Sequence, residues 1–210
     1  MRVLYVSCSP RGHASESHRL ALKVIDHVTA GVPTAQVVHR PLGGGALAHV
    51  DEDYSVALGG TPSRLAQGAT RGTLAMSDAL IQELEAADVV VIGTPMHNYT
   101  VPSALKAWID HVVRVHQTFG VTREGKVGKL RDRPVFVAVA SGGVYSGDHA
   151  RQPDFLTPYL TAILATIGLR DITFFSVEAT AVGGDTLLQA RARADQALQA
   201  HFAPVRRRQA

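Results

Sequence analysis

Cysteine is nearly absent from this chain of 210 residues. Cys8 stands alone, so an intramolecular disulfide framework and any multi-cysteine zinc or iron–sulfur site are excluded. Aromatic residues are scarce at 6%. No apolar run approaches the roughly 20 residues that a membrane-spanning helix requires; Val135–Ala140 is among the longest. A strong charge of one sign is missing too. Lys and Arg number 21 against 18 Asp and Glu, a balance of +3. The terminal run Arg206, Arg207 and Arg208 accounts for that excess and reads as a solvated tail rather than a nucleic-acid arm. Val3–Val6 is too short for the core of a signal peptide. The expectation is a cytoplasmic protein with neither membrane nor nucleic-acid partner.

What is present fits one globular domain. Hydrophobic residues make up 46% and charged residues 19%, enough apolar material to bury a core. No internal repeat or interdomain linker is visible, so residues 1–204 are read as one domain and 205–210 as a basic tail.

Five short apolar runs recur along the chain: Val3–Val6, Ala35–Val38, Val89–Gly93, Val135–Ala140 and Ile172–Val177. Most lack polar alternation, as strands buried on both faces do. Helical spacing fills the intervals. Leu20, Val24, Ile25 and Val28 form one stripe, and Leu80, Ile81 and Leu84 another. The clearest helix runs from Pro102, as its first residue, to about His116, with Leu105, Trp108, Ile109, Val112 and Val113 on one face. Lys106, Asp110 and Arg114 lie four apart on the other, spaced for two ion pairs. Further helices are expected over Phe155–Gly168 and Thr186–Phe202, the latter capped by Asp185.

Strands alternating with helices predict an α/β fold: a doubly wound, five-stranded parallel sheet of flavodoxin-like order 2-1-3-4-5. One irregular excursion, Pro41–Thr73, holds seven of the 19 glycines.

In such sheets ligands bind beyond the carboxyl ends of the strands, which singles out three loops. The first, Ser7 to Ser17, is rich in hydroxyls and opens a helix. Helix N-termini offer free N–H groups to phosphate, and Ser9, Arg11, Ser15 and Ser17 add donors. Ser15 as a simple N-cap is the alternative. A glycine-rich dinucleotide fingerprint and a P-loop are both absent. A cysteine phosphatase loop would need an arginine six positions after Cys8, where Ala14 stands, so Cys8 is read as a buried filler.

The second loop, Gly93 to Pro102, presents Met96, His97, Asn98 and Tyr99 between two prolines, a composition suited to the edge and face of a planar heterocycle. The third, Ala140 to Gly147, contains the pair Gly142-Gly143. There the backbone can approach a ligand and its amides can stabilise negative charge.

Taken in order, these segments resemble the FMN-dependent NADH-azoreductases of the flavodoxin-like NAD(P)H:quinone oxidoreductase superfamily. The resemblance spans nearly the whole chain. It rests on Ser-Pro-Arg-Gly-x-x-Ser-x-Ser at 9–17, Pro-Met-His-Asn-Tyr-Thr-Val-Pro and Leu-Lys-Ala-Trp-Ile-Asp within 95–110, Thr118-Phe119, Ser-Gly-Gly at 141–143 and Thr157-Pro158-Tyr159-Leu160. It implies that Ser9, Ser15, Glu16 and Ser17 bind the FMN phosphate. Pro95, Met96, His97, Asn98 and Tyr99 then hold the isoalloxazine, and Ser141, Gly142 and Gly143 flank its pyrimidine end. It also implies a homodimer with flavin sites near the interface, where Phe119 and Tyr145 line the substrate pocket.

The chain departs from the family's pattern at His97, where Tyr is usual, at Tyr99, where Phe is usual, and before the glycines, where an arginine is often found. These departures bear on acceptor preference and flavin potential.

The implied activity is NADH or NADPH oxidation coupled to reduction of quinones or azo compounds by a two-electron ping-pong hydride mechanism. No general acid is assigned; Asn98, His97 and Tyr145 are the candidates for a catalytic role. A small electron-carrier flavoprotein without nicotinamide oxidation is the alternative.

Overall fold

The computed structural model describes residues 1–59 and 72–203. Along the chain run β1 (Arg2–Ser7), α1 (Glu16–Thr29), β2 (Gln36–Pro41), α2 (Glu52–Gly59), α3 (Gly72–Ala86), β3 (Val89–Pro95), α4 (Ser103–Val112), β4 (Phe119–Thr122), β5 (Gly125–Gly128), β6 (Val135–Ala140), α5 (Leu156–Thr166), β7 (Ile172–Val177) and α6 (Gly184–Phe202). Five parallel strands pair in the order β2-β1-β3-β6-β7. Leaving aside the β4–β5 hairpin, this follows the expected 2-1-3-4-5 pattern.

The central strands explain why the sheet is covered twice. Val90, Val91, Ile92, Val137, Ala138 and Val139 are all at most 1% exposed, and a β-branched run without polar alternation buries both faces. On one face Leu4, Val6, Ile92 and Val137 pack with Leu84 of α3, Leu105 and Trp108 of α4 and Leu160 of α5. On the other, Val3, Tyr5, Val91 and Phe136 meet Leu20 and Val24 of α1 and Leu198 of α6. Each such fully buried large side chain contributes about 1.5–3 kcal/mol.

Several local expectations are revised. The edge strand β2 runs on to Pro41, paired with Ser7, because an edge position tolerates a residue without an N–H. Pro102 precedes the first helical residue of α4 rather than occupying it. That helix ends at Val112, well before His116. Thr118 Oγ1 donates to the Val112 carbonyl (2.6 Å) and accepts from Arg114 N–H (2.9 Å), and His116 turns to φ 67°.

With the helix ended, Arg114 leaves the exposed face. It is 5% exposed and donates to Ser77 Oγ (2.9 Å) and to Asp78, so only Lys106 pairs with Asp110. α6 is capped by Gly183 at φ 72°, with Asp185 in its first turn instead. The hairpin β4–β5 has no counterpart in the sequence reading. Its Gly128 lies so near Gly168 that a Cβ would sit 2.2 Å from the Gly168 nitrogen.

The 41–73 excursion is not wholly irregular, since it contains α2. Its residues 60–71 lie outside the described residues, as do those of the basic tail.

Candidate functional site

All three loops emerge from the carboxyl ends of neighbouring strands β1, β3 and β6. The first is wound tightly: Arg11 N–H donates to Ser9 Oγ (3.2 Å), Gly12 N–H to the Ser9 carbonyl (3.3 Å) and Ser15 N–H to the Gly12 carbonyl (3.1 Å). Ser15 holds the N-cap position of α1 without capping it. Its hydroxyl instead shares a 2.9 Å hydrogen bond with Ser17. Among the described residues, the amides of Glu16, Ser17 and His18 therefore have no acceptor. Three free N–H groups on a helix of 14 residues form a ready anion site.

Glu16 introduces a negative charge at that mouth, and two guanidiniums answer it. Arg191 of α6 donates through Nε (3.0 Å) and Nη2 (2.5 Å), and Arg19 through Nε (3.2 Å). The bonds from Arg191, with support from Arg19, hold the Glu16 carboxyl below its ordinary range, against the opposing effect of burial.

The second loop is a two-residue reversal. His97 N–H donates to the Thr100 carbonyl (2.9 Å) and Thr100 N–H to that of His97 (3.0 Å). The residues between, Asn98 and Tyr99, have φ of 48° and 69°. Paired left-handed residues define a type I′ turn. Asn tolerates that conformation, while Tyr is strained by it. The strain presents a ring that is 46% exposed, and Phe155 N–H clasps the Tyr99 carbonyl (3.0 Å).

The third loop is tied from behind. Carbonyls of Ser141, Gly142 and Gly143 accept from the amides of Thr180 (3.0 Å), Ala181 (3.3 Å) and Ala179 (3.2 Å). The N–H groups of Gly142 and Gly143 are left without acceptors among the described residues. Glu178 anchors the remainder of the loop, accepting from Tyr145 N–H (2.8 Å), Ser146 N–H (3.3 Å) and the hydroxyls of Ser146 (2.5 Å) and Ser176 (3.1 Å).

These loops enclose two cavities that share Met96 and Gly142. One, of about 290 Å³, is bordered by Ser9, Arg11, Ser15, Glu16, Pro95, Met96, His97 and Gly142, with Thr180 and Leu187. The other, of about 300 Å³, is bordered by Met96, Asn98, Tyr99, Ser141, Gly142, Gly143 and Gln152. Free N–H donors at a helix end lead into a slot edged by glycine amides and a thioether. That donor set fits a phosphate joined to a flat, carbonyl-bearing ring system. A larger recess of about 580 Å³ lies between β7, α6 and the far side of the third loop, bordered by Val144, Ser146, Gly147 and Glu178, and none of its lining residues comes from the first or second loop.

Three predicted residues border neither cavity. Ser17 is fully buried, its hydroxyl bonded to that of Ser15. Tyr145 is 9% exposed and packs in the core, and burial pushes its hydroxyl well above the usual tyrosine range. Phe119 opens the hairpin after α4, which carries the chain away from the rim; it is 7% exposed with Lys126 5.1 Å above its ring. Cys8 is wholly buried, and burial drives its thiol far up, as expected of a filler and not of a nucleophile.

Sequence reasoning did not find Gln152, Glu178, Thr180, Leu187 or Arg191. Glu178, Thr180 and Leu187 follow strand β7, a rim position that could have been inspected. Gln152 and Arg191 carry no local pattern.

Comparison with known proteins agrees with this fold. The profile of a flavodoxin-like fold family matches residues 1–202. An FMN-dependent NADH:quinone oxidoreductase 4 of Pseudomonas fluorescens is 44% identical over 206 residues, 97% of each chain. An FMN-dependent NADH:quinone oxidoreductase 5 of Burkholderia lata is 48% identical over 179 residues, 85% of each.

Among solved structures, an FMN-dependent NADH-azoreductase of Bacillus anthracis in complex with FMN has a TM-score of 0.80 at 23% identity, covering 96% of this chain and 99% of that one. At that identity the likeness speaks for the fold alone. The fold match and the identity to these curated relatives place the chain in the FMN-dependent NADH:quinone oxidoreductase family of flavodoxin-like proteins.

Proposed function

We propose that the chain is an FMN-dependent NADH oxidoreductase that reduces quinones or azo compounds in a ping-pong exchange, the nicotinamide leaving before the acceptor enters. The observation that carries this reading is the convergence of unpaired N–H donors from α1 and the third loop on two adjoining cavities. When bound, FMN supplies the ring that accepts two electrons from the nicotinamide and passes them to the acceptor.

The protein's own groups bind and orient. The amides of Glu16, Ser17 and His18, with the hydroxyls of Ser9 and Ser15, hold the phosphate, and Arg11 adds charge. The Met96–Tyr99 reversal fixes the ring edge, its turn geometry limiting motion. The amides of Gly142 and Gly143 would serve the ring's carbonyl edge, where preorganised donors favour developing negative charge. No side-chain acid is required for this. His97 borders the first cavity and is the group placed to relay a proton to an acceptor.

A homodimer is part of the same proposal. Tyr99 (46% exposed) and Phe155 (59% exposed) are joined by a backbone hydrogen bond at the rim, and a second copy would cover them. Phe119, remote from the cavities of its own chain, would then serve those of the partner. Dependence on NADH and a single buried cysteine suit the cytoplasm. Among the described residues no helix is long and apolar enough to cross a membrane.

Anaerobic mixing of the FMN-loaded protein with NADH should bleach the flavin rapidly, and steady-state plots against a quinone or azo acceptor should give parallel lines. A colourless protein that leaves added FMN fluorescence unquenched would overturn the proposal. Slow or absent bleaching of a tightly held flavin would point to an electron carrier instead.

A further inference from the structure

The segment between Gly147 and α5 straps the second loop to the third. Arg151 N–H donates to the Val144 carbonyl (2.8 Å) and Phe155 N–H to that of Tyr99 (3.0 Å). Asp154 caps α5 by accepting from the amides of Leu156 and Thr157, both at 2.9 Å. Within this strap Gln152 turns inward. Its Nε2 donates to Ser141 Oγ (3.0 Å) and contacts Met96 Sδ (3.1 Å), so both amide hydrogens are engaged.

The carboxamide oxygen is in a different position. Among the described residues no donor reaches it, and it lies against Gly143, 2.3 Å from where a Cβ would stand. Gln152 also borders the second cavity, beside Asn98, Tyr99 and Gly142. An acceptor with no protein donor, at the edge of a cavity and with its orientation fixed by two bonds from its own nitrogen, is free to take a hydrogen bond from a ligand there.

From this juxtaposition we infer that Gln152 is a cofactor-contacting residue whose Oε1 accepts from the imide N–H of the flavin's pyrimidine edge. The inference rests on the FMN reading above. An imide edge alternates carbonyl, N–H and carbonyl. The amides of Gly142 and Gly143 can serve its carbonyls, but a backbone N–H cannot serve its N–H, which needs an acceptor. The carbonyls of Ser141, Gly142 and Gly143 each already accept a hydrogen bond from residues 179–181, which ties them away from a ligand. Two side chains bordering that cavity, Asn98 and Gln152, carry a carboxamide oxygen with no donor among the described residues, and Gln152 is the one whose orientation is fixed by its own nitrogen.

The anchors of the carboxamide reinforce the assignment. Ser141 (2% exposed) and Met96 (8% exposed) are themselves buried, so the oxygen is presented from a rigid base and little entropy is lost on binding. The role is one of recognition and orientation: it sets how the ring is gripped and which flavin analogues are refused.

The test compares FMN with FMN methylated at the imide nitrogen, using fluorescence-quenching titrations of wild type, Gln152→Leu and Gln152→Glu, with apo-protein melting as a control. Wild type should bind FMN and discriminate against the methylated analogue by about tenfold, the size of one lost hydrogen bond plus a blocked edge. Gln152→Leu should weaken FMN by about threefold to tenfold and lose most of that discrimination, because the two changes remove the same bond. Gln152→Glu keeps an acceptor and should retain discrimination even where its charge weakens overall binding.

A wild type that binds FMN and its methylated analogue equally overturns the inference while leaving the functional reading intact. The same holds if Gln152→Leu discriminates as well as wild type. A wild type that binds neither flavin overturns the functional reading itself. If Gln152→Leu melts too low to titrate, the Gln152→Glu comparison decides on its own.

Discussion

The two ends of the proposed flavin site are built differently. The anion end comes almost entirely from one contiguous segment, residues 9–18, where a tight turn feeds a helix and the free amides follow from the helix end itself. The ring end is assembled from four separated pieces: the 96–99 reversal, the 141–143 loop, Gln152 and the 178–181 segment that ties down the loop carbonyls. A contiguous site depends on local chemistry and tolerates distant change. An assembled one depends on supports that never touch the ligand.

Substitutions should separate the ends in this way. The largest effect is expected at Gly142. A Cβ there meets only Ala181 Cβ at 3.5 Å, so Gly142→Val leaves the fold standing while filling the ring slot. FMN affinity should fall about a hundredfold or more, with apo melting nearly unchanged. Unchanged affinity would show that the third loop is not where the ring lies.

Next is the support beneath it. Glu178→Ala strips the acceptor from Tyr145 N–H and Ser146 N–H. Loss of a part-buried acceptor of this kind costs about 1–3 kcal/mol, and both melting temperature and FMN affinity should drop. Loss of stability with fully preserved affinity would show that the loop holds its shape without this anchor.

At the anion end the expected changes are milder and depend on pH. Arg191→Ala leaves Glu16 with Arg19 alone, adding negative charge beside the phosphate. FMN binding should weaken about threefold at low salt, and the loss should shrink as salt is added. The folded protein holds the Glu16 carboxyl below its unfolded value. The resulting stabilisation is present above the ordinary glutamate range, near pH 4.3, and is lost as pH falls through the lower folded value. The stability gap between wild type and Arg191→Ala, measured by denaturant titration, should therefore close with acidification below about pH 4.3. A gap independent of pH would remove Glu16 from the explanation.

The smallest effect on flavin affinity is expected at the turn, where the change is one of stability. Because Asn98 sits at φ 48°, Asn98→Ala should cost about 1 kcal/mol of stability for backbone reasons alone. Asn98→Gly should be nearly neutral. Any defect in flavin reduction shared by both variants belongs to the carboxamide, and a defect confined to alanine belongs to the turn.

The same contrast explains which features the sequence makes legible. The sheet is legible because Val89–Ile92 and Val135–Ala140 are short, β-branched-rich and apolar without interruption, the pattern of doubly covered strands. The loops are legible from their position at strand ends. The roles of Gln152, Glu178 and Arg191 are not, because each acts through a partner at least 11 residues away in sequence. No periodicity reports such pairings. The end of α4 escapes the pattern for a related reason. The stripe Leu105 to Val113 continues the helical spacing, yet the hydroxyl of Thr118 intercepts the last carbonyl and releases Arg114 toward Asp78.

The full burial of Cys8 has a chemical consequence for a protein whose proposed acceptors include quinones. Quinones are Michael acceptors that alkylate exposed thiolates. This chain carries one sulfhydryl in all, buried within the first loop and held in its protonated form, so it offers such electrophiles no exposed thiolate to alkylate.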